Sequence, residues 1–176
     1  MSFLGNTGAD DYKNDIKPDQ SVPLFTDSIS SIVWAPQHVG NFFATTSWDG
    51  DLRVLSVEQG QYGIAIFQKM SNKFASPALK CTWNDQGNQI YVGLMDGSVK
   101  LYDLGNGQVS DIGKHGAPIS SLHYIPGMNA IISTAYEPMI QIWQQGNPSP
   151  VLSINAENKV FASEFQSPIL VAGTAN

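Results

Sequence analysis

Thiol chemistry is nearly absent from this sequence, whose only cysteine is Cys81. A lone thiol forms neither a disulfide framework nor a cysteine-rich metal cluster. Within Leu79-Lys80-Cys81-Thr82-Trp83 it reads as a small buried residue. Charge is also scarce: 14 % of residues, nine Lys and Arg against fifteen Asp and Glu, for a net charge of −6. Asp10, Asp11, Asp15, Asp19 and Asp27 against Lys13 and Lys17 place −3 of that within the first 28 residues. No basic stripe is left to grip a phosphate backbone. No run approaches the roughly 18 apolar residues of a membrane span, and the first residues lack a basic segment followed by an apolar core. No glycosylation sequon occurs, since Asn147 is followed by Pro148. These absences suit a nuclear or cytosolic chain.

Apolar residues, by contrast, make up 42 % of the chain, and the sequence repeats itself. Ile29-Ser-Ser-Ile-Val-Trp34 is echoed by Ala78-Leu-Lys-Cys-Thr-Trp83, Ile119-Ser-Ser-Leu-His-Tyr124 and Val160-Phe-Ala-Ser-Glu-Phe165. The closing aromatics stand at 34, 83, 124 and 165, in steps of 49, 41 and 41. A period of roughly 40–45 residues is that of a propeller blade. Each unit then runs into an acidic turn, at Trp48-Asp49-Gly50, Met95-Asp96-Gly97 and Tyr136-Glu137-Pro138. Asp-Gly between alternating apolar runs predicts a two-residue primed hairpin turn. Leu52-Arg-Val-Leu55, Val99-Lys-Leu-Tyr102 and Ile140-Gln-Ile-Trp143 follow with period two, as third strands of four-stranded blades.

The predicted fold is all-β: the N-terminal portion of a WD40-type β-propeller, about three and a half four-stranded blades of a seven-bladed ring. An irregular leader is expected over 1–20, with a strand considered near Val22 to Phe25, and the propeller part over 21–176. Blades start near 29, 78, 118 and 159, the last incomplete, so the remaining half of the ring is expected from the same longer chain. Residues 59–77 are expected to hold the first blade's outer strand, around Tyr62 to Gln68, and a longer loop. Each of Trp34, Trp83, Tyr124 and Phe165 is expected to be buried in its blade core.

No catalytic or metal-binding set and no cofactor motif emerges. Gly105-Asn-Gly107 starts a dinucleotide pattern that fails at Ser110, and reads as a hairpin turn. His38 and His123 have no partners at metal-ligand spacing. His115 is expected to bond toward Ser133 or Thr134, with Glu137 in place of the usual Asp and Trp143 closing the set. A histidine with a hydroxyl and a carboxylate also spells a hydrolase triad, but the blade context favours a structural network, and the same holds for the turn-forming Asp49 and Asp96. Trp48, Met95 and Tyr136 occupy equivalent positions before the acidic turns. They either plug the space between blades or ring one rim as anchors for a partner.

The residues Asn14-Asp15-Ile16, Asp27-Ser-Ile-Ser-Ser-Ile32, Ala35-Pro36-Gln37, Ser47-Trp-Asp-Gly-Asp-Leu-Arg53, Ile112-Gly-Lys-His-Gly-Ala-Pro-Ile119 and Gln166 to Ala175 resemble, in order, a known family. It is the WD-repeat messenger-RNA export factor family of the nuclear pore, with its mitotic-checkpoint relative as near alternative. The resemblance runs over residues 14–175. It departs from the family at Ala135-Tyr136-Glu137-Pro138-Met139, where the family has Ser-Trp-Asp-Lys-Thr, and only Tyr102-Asp103 keeps the acid that ends a third strand. The resemblance implies a non-enzymatic scaffold that binds the GLEBS segment of a Phe-Gly-repeat nucleoporin and supports messenger-RNA export, with weak RNA contact. It also implies a nuclear and pore location with a cytoplasmic pool. Trp48 carries over as a partner contact and Tyr136 only by position, and Met95 is expected beside them as their counterpart in the second repeat. A ubiquitin-ligase substrate receptor would need an adaptor motif not found in the sequence, and a propeller enzyme would need its site in the other half.

Overall fold

A computed structural model describes residues 25–60 and 63–175. The leader expected over 1–20, and all of the considered strand except Phe25, lie outside the described residues. Three four-stranded antiparallel sheets and one hairpin follow in chain order. Blade 1 is β1 Ile29–Trp34, β2 Phe42–Ser47, β3 Asp51–Gly60 and β4 Gly63–Lys73. Blade 2 is β5 Ala78–Trp83, β6 Gln89–Leu94, β7 Ser98–Asp103 and β8 Val109–Lys114. Blade 3 is β9 Ile119–Ile125, β10 Ala130–Ala135, β11 Met139–Gln144 and β12 Leu152–Asn155, and the hairpin of blade 4 is β13 Val160–Gln166 and β14 Ile169–Thr174. The only helix among the described residues is a 3₁₀ turn over Gln37–Val39. The partial propeller read from the sequence is therefore the fold.

Within each blade, consecutive strands pair as hairpins, and one face of each sheet packs on the next. The first core joins Ala44, Leu52 and Val54 of blade 1 to Trp83, Ile90 and Val92 of blade 2. A second joins Tyr91, Val99 and Leu101 to Ile119, Ile131 and Trp143, and a third joins blade 3 to Val160, Phe165 and Leu170. Every first hairpin carries a bulge at the same place, leaving Ser30, Leu79, Ser120 and Phe161 without a partner across the strand pair. A bulge adds local twist and re-aims one side chain. Ser30 and Ser120 use it to bond the hydroxyls of Thr46 and Thr134, each at 2.9 Å.

Three sequence expectations are corrected. The extra length of blade 1 lies in a long hairpin, β3 of 10 and β4 of 11 residues, rather than in a loop, because pairing continues past one bulge at Lys69 out to Gly60 and Gly63. The Asp-Gly turns are not two-residue primed turns. Ser47 and Asp51 flank a three-residue connection whose only positive φ is at Gly50, and Leu94 and Ser98 flank the same connection ending at Gly97. Such a connection is a type I turn, tolerant of any residue at its centre, closed by a left-handed glycine. Gly97, at φ 86°, is doubly required, since a Cβ there would lie 2.3 Å from the His115 carbonyl oxygen.

The third correction is Trp34, which is 61 % exposed rather than buried. The closing aromatic of each later blade lies against the preceding one. Trp83 Nε1 donates to the Val33 carbonyl at 3.1 Å, Tyr124 packs on Tyr91 with ring centres 6.1 Å apart, and Phe165 lies 6.5 Å from the His123 ring. No sheet precedes blade 1 among the described residues, so Trp34 rests only edge-on against Phe43 of its own blade. Trp34→Ala is accordingly expected to lower the unfolding free energy of this chain by less than about 1 kcal/mol, as surface substitutions do; urea unfolding checks it.

Candidate functional site

One end of the blades is organised by a repeated backbone bond. Trp48 N–H donates to the Ser28 carbonyl at 3.0 Å, Met95 N–H to Pro77 at 2.9 Å and Tyr136 N–H to Pro118 at 3.0 Å. The other side of each turn is tied as well, by Phe74 to Gly50, His115 to Gly97 and Ala156 to Pro138. Each turn is thus clamped to the segment entering its own blade and to the segment leaving for the next. The three large side chains before the acids consequently share one rim. They are half-exposed, at 44 % for Trp48, 43 % for Met95 and 40 % for Tyr136.

The acids beside them face inward to the turns. Asp49 accepts from the Ser47 hydroxyl, from Thr26 and from the Asp51 N–H, and these bonds hold its carboxyl well below the usual carboxylate range. Lys73 Nζ sits 3.3 Å from Asp49 and 3.2 Å from Asp51. Burial works against an ionised Asp96, yet the Ser98 N–H at 3.0 Å and hydroxyl at 3.1 Å outweigh it and bring this carboxyl below its ordinary value as well. Both groups are anionic turn supports at neutral pH.

Blade 3 builds its turn differently. Trp143 Nε1 donates to Ser133 Oγ at 2.7 Å, so the Ser133 hydroxyl hydrogen is directed to His115 Nε2, also at 2.7 Å. That leaves the His115 Nδ1–H for Glu137 Oε1 at 2.7 Å. Burial lowers the imidazole pKa, and the Glu137 carboxylate only partly offsets this, so the ring is neutral at pH 7. The order Ser-His-Glu is that of a hydrolase set, but Ser133 is 0 % exposed and His115 buried, so no substrate carbonyl reaches the hydroxyl. Forty-one residues earlier, the equivalent positions hold Phe74, Val92 and Tyr102, packed in the apolar core between blades 1 and 2. The same niche is filled by a polar network in one blade and by hydrocarbon in the other.

One rim residue was missed in the sequence. Phe161 is 53 % exposed, and its ring lies 5.7 Å from that of Tyr136, extending the aromatic surface to blade 4. Its equivalents are Ser30, Leu79 and Ser120, so repetition gave no hint, and only the bulge turns this side chain to the rim. Of the remaining histidines, His38 is exposed on the 3₁₀ turn and His123 bonds Ser163 Oγ at 2.9 Å. Among the described residues no group of three or more His, Cys, Asp or Glu is placed to hold a metal, and no helix is long and apolar enough to cross a membrane.

Comparison with known proteins agrees with this architecture. The family described as WD domain, G-beta repeat matches residues 73–103, from the end of blade 1 through the third strand of blade 2. Protein Rae1 of Drosophila melanogaster is 29 % identical over 153 residues, covering 85 % of this chain and 43 % of that protein. The mRNA export factor of Xenopus tropicalis is 27 % identical over 177 residues, covering 99 % of this chain and 47 % of its own length. This chain therefore spans about half the length of the curated relatives it matches. Among solved structures, the crystal structure of the computationally designed Ika4 protein superposes with a TM-score of 0.71 at 21 % identity, covering 88 % of this chain and 89 % of that one, a likeness of fold alone. With repeated four-stranded blades, a matching WD repeat and relatives along most of its length, the chain belongs to the WD-repeat family whose curated members include the messenger-RNA export factors.

Proposed function

We propose that this chain is the partner-binding part of a WD-repeat messenger-RNA export factor, acting as a scaffold without catalysis of its own. In this reading it docks a GLEBS-type segment of a Phe-Gly-repeat nucleoporin on the rim formed by Trp48, Met95 and Tyr136, in the nucleus and at the pore, with a cytoplasmic pool. The observation that carries it is that rim: three large side chains, far apart in sequence, held half-exposed at one end by the same backbone bond in successive blades. Large amphipathic side chains in such a position are the usual energetic anchors of a protein interface. The relative named mRNA export factor supports the assignment of role, and the Trp48 motif supports the choice of segment.

Titration of a fluorescent GLEBS-type peptide into the protein tests the reading. The expected result is a Kd of about 1 μM or tighter, roughly 8 kcal/mol, with a scrambled peptide at least about tenfold weaker. Equal affinity for the two peptides would refute it. RNA is a contrasting case. Nine Lys and Arg against fifteen acids release few counterions, so residues 1–176 are expected to bind single-stranded RNA weakly and without sequence preference. Filter binding across a salt series should give a log–log slope of no more than about 2. A steep slope with tight binding would show several phosphate contacts and overturn this expectation.

A further inference from the structure

At the end of the blades opposite the Trp48 turn, blades 2 and 3 enclose a polar cavity of about 420 Å³. Antiparallel pairing puts it there, because the β5–β6 and β9–β10 turns that line it leave the strands at the other end from the β6–β7 and β10–β11 turns. Its blade 2 wall is firmly tied. The Oδ1 of buried Asn84 accepts the N–H groups of Asn88 and Gln89, each at 3.1 Å, while its Nδ2 donates to Asn88 Oδ1 at 2.7 Å. Gly87, at φ 69°, lets this turn rest on the 3₁₀ turn of blade 1, since a Cβ there would lie 2.2 Å from a Val39 methyl. The cavity is rich in acceptors. One Tyr124 hydroxyl hydrogen stands between Asp85 Oδ1 at 3.2 Å and Asn129 Oδ1 at 3.3 Å, and Gln89 Nε2 is engaged by Asp103 Oδ2 at 3.3 Å. Asp85 keeps a second carboxylate oxygen, and Asn129 and Gln89 keep carbonyl lone pairs. No Lys, Arg or His is among the described residues that line the cavity, and among the described residues Asp85 makes no ion pair. Its charge is felt nearby: burial first, and the Asp85 carboxylate next, push the Tyr124 phenol up to about 12 and raise that of Tyr91.

We propose that this cavity binds an arginine side chain of a partner polypeptide, its guanidinium set against the Asp85 carboxylate and the carbonyl oxygens of Asn129 and Gln89. An excess of acceptors around one unpaired carboxylate selects a cation. A divalent metal is a poor fit, since hard cations take six or more oxygens, commonly several of them carboxylate, and Asp85 stands alone in the cavity wall. Guanidinium suits it better than ammonium. Its five donors lie in one plane and reach flat acceptors on both walls together, it is weakly hydrated, and it stacks on an aromatic face such as that of Tyr124. A side chain delivered by a polypeptide brings no carboxylate with it, whereas a free amino acid carries one toward a cavity that is already anionic. The cavity lies between two fully paired blades and at the end away from the Trp48 turn, so it stands or falls separately from peptide binding at the rim.

Titration of acetyl-arginine amide into the protein carrying isotope-labelled tyrosine rings, followed by NMR, is the test. The Tyr124 resonances are expected to shift with a Kd of roughly 1 mM. Acetyl-citrulline amide, of the same shape but neutral, should bind at least about tenfold more weakly, and acetyl-lysine amide at least about threefold. Asp85→Asn, at an exposed position, should weaken binding of the arginine amide at least about tenfold with melting unchanged. Asn129→Asp should tighten it at least about threefold, aspartate being suited to the left-handed backbone at φ 48°. Equal affinity for the arginine and citrulline amides would overturn the proposal. So would an Asp85→Asn variant that binds like the parent, or an Asn129→Asp variant that binds no tighter. A lysine amide as tightly bound as the arginine amide would overturn the choice of guanidinium. Free L-arginine binding more tightly than its capped amide would replace the partner polypeptide by a metabolite.

Discussion

Replacing Trp48 by alanine is expected to weaken binding of a GLEBS-type peptide by about 2 kcal/mol, some thirtyfold, while the melting temperature stays within a few degrees of the parent. The argument starts from the turn. Trp48 occupies the first central position of a type I turn, where no special φ is demanded, so alanine fits the backbone. The supports of the turn are independent of the indole: the Trp48 N–H on Ser28, the Gly50 N–H on Ser47 at 3.0 Å, and the Asp49 carboxylate on Ser47 and Thr26. An indole already 44 % exposed loses little packing in the free protein. What it contributes is a large rigid face that a partner desolvates, and truncation of such an anchor costs about 2 kcal/mol or more. Tyr136→Ala should cost less, since its ring already rests partly on Phe161. Affinity and melting must be measured together. Unchanged affinity with lowered stability would make Trp48 a packing residue and remove the rim from the proposed function.

The network of blade 3 should respond in the opposite sense, losing stability and not affinity. His115→Ala is expected to cost about 3 kcal/mol in urea unfolding, because the Ser133 hydroxyl, at a site with no exposure, loses its acceptor, Glu137 loses its imidazole donor, and the packing of the buried ring is lost. Blade 2 supplies the control. Installing its residues together, His115→Phe with Ser133→Val and Trp143→Tyr, removes the buried donors and acceptors of the set except the tyrosine hydroxyl, and leaves the partly exposed Glu137 carboxylate to water. The triple variant should recover most of the loss. A triple variant as unstable as His115→Ala would show that blade 3 does not tolerate the apolar filling of blade 2. The network also predicts a pH dependence. The imidazole pKa is lowered in the folded chain, so below the ordinary value of about 6.5 the unfolded chain binds the extra proton. Stability is therefore full above that pH and falls as pH drops through the folded value. Part of this slope should vanish in the triple variant, the rest coming from other groups such as His123, whose pKa burial also lowers.

Legibility of the sequence divided along the line between repetition and exception. The blades were readable because four copies of an apolar-aromatic strand, three of them followed by an acidic turn, carry the same spacing, and a repeat averages away the ambiguity of any one strand. His115, Ser133, Glu137 and Trp143 could be grouped because their spacing matches a blade with its usual substitutions. Turn geometry was misjudged since Asp-Gly fits both a two-residue primed turn and the end of a three-residue one, and only the length of the flanking strands decides. The long hairpin of blade 1 was hidden because Gly60, Gly63 and a polar stretch look like a loop when pairing across ten residues is not seen.

Alone, the sequence determined the blade period, the strand order, and the chemistry of the residues before each acidic turn, because all three depend on local periodicity and fixed spacing. Tertiary structure decided which of those residues meet and which stay open. Trp34 and Trp83 are equivalent in sequence and opposite in burial, for an aromatic is buried only by the blade that precedes it. Phe161 joined the rim through a bulge that no residue type announces. His115 met Ser133 rather than Thr134 because successive β-strand residues point to opposite faces, and the face turned toward His115 is fixed by how blade 3 stacks on blade 2.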